Sequence, residues 1–275
     1  MHFQVEGDGE PAMVLCDGLG CDGFAWKYLL PELKNRFRVV RWHYRGHGKS
    51  SFPQEPGAIG VEQIMSDLEK VVEAAGVSRA VVFGHSMGVQ VALEYHRRCP
   101  ERVQGLVLLC GSYGNPLDTW HDHTLLRRAF PFIREVVEHN PDLARRVIGK
   151  VLRTDFAVSF AMKAELNPDL MRREDMVPYF DHLAAMHPVA FIRTLDSLKD
   201  HSVWDHLRDI DVPTLVVGGE RDRFTPGWLS RRMAEAIDGA EFLLVPGGTH
   251  TAPLERPELV GRTVRRFLNE RVLKS

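Results

Sequence analysis

No run of about eighteen consecutive apolar residues occurs in this chain, so nothing in it reads as a membrane-spanning helix. No basic tract occurs either. The 35 Lys and Arg are set against 37 Asp and Glu, a formal net charge of −2, which argues against nucleic acid and against anionic membrane surfaces as main partners. Cysteine is scarce: Cys16, Cys21, Cys99 and Cys110, with no C-x-x-C among them. That leaves no dithiol redox motif and no zinc-ribbon pair. Cys16 and Cys110 end apolar runs and are expected to be buried free thiols. Met1 to Gly7 enter an alternating strand pattern with no charged segment leading into an apolar one, so no secretory leader is expected. A soluble protein of the reducing cytoplasm is the expectation.

What is present is a 44% hydrophobic chain of 275 residues, long enough for one large α/β domain with an insertion. Short apolar, β-branched runs at Ala12–Cys16, Arg38–Trp42, Ala80–Phe83, Val103–Cys110, Thr214–Gly218 and Phe242–Val245 predict strands. Between them lie helical stretches at Phe24–Leu33, at Val61–Ala75 and at Met87–Cys99. Two more follow: one from Thr225-Pro226 to about Ile237, and one opened by Pro257. Such alternation implies a doubly wound, mostly parallel sheet covered on both faces, with ligands bound outside the carboxyl ends of its strands. Residues 112–205 interrupt the alternation. They look helical, and Pro116, Pro131, Pro141, Pro168, Pro178 and Pro188 divide them into short pieces. The domain reading is therefore a core of 1–111 and 206–275, with 112–205 as a helical cap over the active edge.

The strand at Ala80–Phe83 runs into Gly84-His85-Ser86-Met87-Gly88, a G-x-S-x-G before a helix. In that context it reads as a nucleophile elbow, a turn so tight that its flanking positions must be small. A serine hydroxyl is a poor nucleophile at neutral pH. It needs a base, an acid to orient the base, and donors for the oxyanion. Asp222, past the Thr214 strand, is the acid candidate, with Glu220 and Asp118 as rivals; His250, past the last strand, is the base candidate. The backbone N–H groups of Leu19 and Met87 are the oxyanion candidates. His121-Asp122-His123 invites a metal reading but has no further ligand at a fitting spacing, so neither metal nor cofactor is expected.

Together Asp17-Gly18-Leu19-Gly20, Arg45-Gly46-His47-Gly48-Lys49-Ser50, the elbow, Gly219-Glu220-Arg221-Asp222 and Gly248-Thr249-His250 resemble the α/β-hydrolase superfamily, in its capped serine-hydrolase branch. The resemblance spans nearly the whole chain and implies an esterase-like Ser-His-Asp enzyme acting on a small apolar ester, lactone or thioester. Carbon–carbon bond hydrolases and cofactor-free haloperoxidases or perhydrolases share these motifs and stay open. A non-catalytic receptor on the same fold is the alternative of another class. Members with an Asp nucleophile are disfavoured by Ser86. The chain departs from the usual pattern at Asp17, where the family has His, at His43, where it often has Asp, and at Val89, where a second Gly is common. Asp17 is expected to brace its loop against His43 or Arg45, so that Asp17→Asn lowers stability more than turnover. Phe24, Trp26, Trp120 and the cap residue Phe132 are the substrate-pocket candidates, with Phe130, Phe156, Phe160 and Met162 behind them. Oligomeric state is not legible.

Overall fold

The computed structural model describes residues 1–115 and 124–274. Seven strands form its sheet: β1 (Phe3–Glu6), β2 (Ala12–Cys16), β3 (Val39–Trp42), β4 (Ala80–His85), β5 (Val103–Leu109), β6 (Thr214–Gly219) and β7 (Glu241–Val245). Their order is β1-β3-β2-β4-β5-β6-β7. Only the edge pair β1–β3 is antiparallel; the other five pairs are parallel.

The central strands read as unbroken apolar runs because both of their faces are covered. Alternate residues of β2 divide between two cores: Ala12, Val14 and Cys16 face one, Met13 and Leu15 the other. The first core is filled by α2 (Val61–Ala74), α3 (Met87–Arg98) and Met233 of α9 (Gly227–Ala236). The second takes Leu33 of α1 (Leu30–Lys34) and Val260, Val264 and Phe267 of α10 (Pro257–Phe267). Each fully buried aliphatic contributes about 1.5–3 kcal/mol relative to exposure. Helix α2 stops where the sequence says it should. Gly76 adopts φ 63°, and the N–H groups of Gly76 and Val77 return to the carbonyls of Glu73 and Val72. That is a Schellman ending, which a left-handed glycine allows without strain.

Two local expectations shift. The stretch Phe24–Leu33 is a 3-10 turn at Phe24–Trp26 followed by α1, because Pro31 opens a new helix instead of continuing one. Helix α9 begins at Gly227 and not at Pro226, because Thr225 is held by Asp222.

Between β5 and β6 the described residues include five α-helices: α4 (Thr124–His139), α5 (Pro141–Leu152), α6 (Asp155–Glu165), α7 (Arg173–Ala185) and α8 (Pro188–Leu198). Pro141 and Pro188 start helices as expected, but Pro131 and Pro178 sit inside α4 and α7. Packing on both sides of each proline carries the helix through it. Phe130 and Val137 both meet the α8 cluster, and Met176 and Phe180 share another. Pro116 lies outside the described residues.

Candidate active site

Strand register brings the site together. Cys16 is level with Gly84, Leu109 with both His85 and Val217, and Gly219 with Val245. The loops carrying Leu19, Ser86, Asp222 and His250 therefore leave the sheet at one edge.

Ser86 joins β4 to α3 at φ 56° and ψ −119°, a left-handed backbone that a non-glycine residue rarely adopts. Its N–H is held by the Leu109 carbonyl at 3.0 Å. The elbow glycines are there for want of room. A methyl on Gly84 would run into the Gly88 carbonyl, and one on Gly88 into the Cys16 carbonyl. Ser86 Oγ lies 2.8 Å from His250 Nε2, and His250 Nδ1 lies 2.9 Å from Asp222 Oδ2. The Asp222 carboxylate is fully buried. Its Oδ1 accepts from the N–H groups of Phe224 and Thr225, and its Oδ2 from Thr225 Oγ1. An acceptor-only carboxylate at Nδ1 fixes the imidazole proton there. Nε2 is then left as the acceptor for the Ser86 hydroxyl.

The rival groups have other partners. Glu220 accepts from the Gly247 N–H at 2.8 Å, and Asp118 lies outside the described residues. His85 turns Nε2 to the His250 carbonyl at 3.0 Å, and burial pushes its pKa down to about 4, so it stays neutral and supports the base loop. Arg45 is clamped on both Asp67 oxygens at 2.7 Å, and His43 accepts from the Lys49 N–H. Neither touches Asp17. The residue that braces Asp17 is Trp26, whose Nε1 donates to Oδ1 at 2.6 Å, while Tyr44 OH donates to the Asp17 carbonyl. Burial raises the Asp17 pKa to about 7.

Leu19 and Met87 both line a cavity of about 480 Å³ together with Ser86 and His250. Met87 is the first residue of α3, so its N–H has no acceptor a turn earlier in the helix. Gly18 brings the Leu19 loop against the elbow: a methyl there would sit 3.1 Å from Ser86 Cβ.

Of the pocket candidates, Phe24 lines the cavity, stacked on Tyr179 at 4.9 Å. Trp26 does not; it is buried in the core beneath the Leu19 loop, its indole N–H turned to Asp17. Phe132 does not either, since it points outward at 69% exposure, and Trp120 lies outside the described residues. Phe130 packs on Ile192, Met162 packs against the cluster of Val158, Met176, Phe180 and Leu254, and Phe156 and Phe160 face outward. Helices α5 to α8 wall the cavity instead with Leu152, Ala161, Met176, Phe180 and Phe191, and with the carboxylate-bearing Glu165. No Lys or Arg lines it among the described residues. His121 and His123 lie outside the described residues too.

Three residues with no sequence assignment as site groups support the Ser86–His250–Asp222 hydrogen-bond chain. Thr225 donates to Asp222 and lies 3.2 Å from His250 Nδ1, a contact that the Asp-x-x-Thr spacing foreshadows. Buried Glu255 accepts from the Thr249 N–H at 2.6 Å, from Thr249 Oγ1 at 2.7 Å and from the Asn167 N–H at 3.2 Å. Asn167 Nδ2 donates to the Gly247 carbonyl at 2.9 Å. The loop that carries His250 is thus tied both to Glu255 and to the cap. No local pattern announces a contact between residues 88 positions apart.

The family described as "alpha/beta hydrolase fold" matches residues 11–257. A protein of Rhizobium rhizogenes named as a carbamate hydrolase, RutD, is 27% identical over 98% of each chain. Epoxide hydrolase 3 of Xenopus tropicalis is 26% identical over 98% of this chain and 74% of its own. Among solved structures, a thermophilic esterase from Thermogutta terrifontis aligns at TM-score 0.73 and 25% identity, covering 98% of this chain and 93% of that one.

Proposed function

This chain belongs to the alpha/beta-hydrolase family, and within it we propose a serine hydrolase that cleaves carboxylic esters, lactones or thioesters through an acyl-enzyme. The observation that carries the reading is the relay Ser86 Oγ–His250 Nε2–Asp222 at 2.8 and 2.9 Å on a buried, fully hydrogen-bonded carboxylate. An epoxide hydrolase of the aspartate type would need a carboxylate where Ser86 stands.

In this mechanism Ser86 Oγ attacks the substrate carbonyl carbon while its proton passes to His250 Nε2. Asp222 stabilises the imidazolium. The carbonyl oxygen, now an anion, takes hydrogen bonds from the Leu19 and Met87 N–H groups beside the positive end of α3. His250 returns the proton to the leaving oxygen or sulfur as its bond to carbon breaks. Water, deprotonated by the same His250, then attacks the acyl carbon, and His250 returns that proton to Ser86 Oγ as its bond to the acyl carbon breaks. The same steps apply to a carbamate carbonyl, which the likeness to RutD adds to the substrates worth testing. An apolar cavity with no Lys or Arg among the described residues that line it favours neutral acyl groups over carboxylate-bearing ones.

A fluorophosphonate probe tests the reading. Wild type is expected to label and Ser86→Ala not to. Esters, lactones, carbamates and diketones assayed side by side then rank the substrate classes. Failure of wild type to label would turn the reading toward a non-catalytic ligand receptor.

A further inference from the structure

The cap carries an outward apolar surface that the cavity does not use. Leu143, Val147 and Val151 recur every four residues along α5 and are each more than half exposed. Such spacing makes one stripe down a helix. The opposite side of α5 is the packed one. Gly149 is buried against the Ala184 carbonyl of α7, and Leu152 reaches the cavity. Phe156 and Phe160, one turn apart on α6, are 78% and 62% exposed with rings stacked at 6.2 Å, and Phe132 on α4 is 69% exposed. Helices α4, α5 and α6 touch in succession. A surface this apolar on a water-facing protein signals a partner.

Charge selects among partners. The stripe on α5 is flanked by Arg146, Lys150 and Arg153, all exposed, against exposed Asp142 on the same helix and Asp155 at the start of α6, the latter paired with Arg173. None of the three cations sits in an ion pair among the described residues, and Arg146 gives its Nε to the Asp142 carbonyl of its own helix. A second copy of the chain docking on this stripe would bring like charges together. An anionic surface would meet them with opposite sign. Exposed Phe and Leu beside unpaired Arg and Lys on short amphipathic helices is the arrangement that lies in the interface plane of an acidic bilayer. The balanced charge of the whole chain argues against such a partner, but the outer side of α5 gathers Arg146, Lys150 and Arg153 beside its apolar stripe.

We propose that the outer face of α5 and α6 is a docking surface for anionic phospholipid bilayers. The helices that would lie on the lipid also wall the cavity on their inner side, through Leu152 and Ala161. The docking does not depend on what Ser86 hydrolyses.

The test is co-sedimentation with vesicles of phosphatidylcholine alone and of phosphatidylcholine with about one-third phosphatidylglycerol. Wild type is expected to sediment with the acidic vesicles, weakly with the neutral ones, and less as salt rises. The Val147→Glu/Val151→Glu variant and the Arg146→Glu/Lys150→Glu variant are each expected to bind at least about tenfold less. Both should keep the wild-type circular dichroism and melting curve, because neither pair packs inward. Two results overturn the proposal. One is wild type left in the supernatant with acidic vesicles. The other is a dimer by light scattering that Val147→Glu dissolves, which assigns the face to a second copy.

Discussion

Asp17→Asn isolates the cost of a carboxylate buried beside the Leu19 loop. Asp17 is 4% exposed, and Trp26 Nε1 is the side-chain donor to it. Burial raises its folded pKa to about 7 from the ordinary aspartate value of 3.8. The sign follows from proton counting. Between those two values the folded state holds a proton that the unfolded state has lost, so stability falls as pH rises. The fall begins near the unfolded pKa and is complete above the folded one. At about 1.4 kcal/mol per pKa unit, Asp17 removes roughly 2 to 3 kcal/mol between about pH 5 and about pH 8. Asn keeps an oxygen that accepts from Trp26 and does not titrate. The variant is therefore expected to lack this slope and to be the more stable protein at the alkaline end. That reverses the expectation drawn from bracing alone, because the brace is an indole donor that an amide satisfies equally well. Urea unfolding of both proteins at the two pH values reads the difference directly. Parallel pH slopes, or an Asn variant weaker at both values, would refute the reasoning.

Asp222→Asn is expected to lower kcat on a neutral ester by roughly three to four orders of magnitude with little change in KM, since an amide no longer fixes the His250 proton on Nδ1; steady-state kinetics check it. Glu255→Gln places an NH₂ against either the Thr249 N–H or the Asn167 N–H, and is expected to cost about 1–3 kcal/mol and to lower kcat more than KM. Unchanged kcat in a folded Glu255→Gln would show that the His250 loop holds its place without the carboxylate. Gly88→Ala, with its methyl directed at the Cys16 carbonyl, is expected to lose more than about 3 kcal/mol or not to accumulate in folded form, read by thermal melting.

Much of the core was legible in the sequence. The strands read as apolar runs because a parallel sheet covered on both faces leaves no polar side to blur them. That Ser86, Asp222 and His250 converge was legible because each follows a strand end, and strand ends gather at one edge. The cap was less so. Its apolar residues at helical spacing do not say which side of each helix faces in, so Phe132 and Phe156 looked like wall and are surface.

The sequence by itself thus determined the sheet, the elbow and the order Ser, Asp, His, because local periodicity and backbone crowding act between near neighbours. Tertiary structure alone decided that Trp26 holds Asp17, that Glu255 and Asn167 clamp the His250 loop, and which cap residues wall the cavity. Those contacts join distant segments, and no repeat or spacing along the chain encodes which donor a buried acceptor will meet.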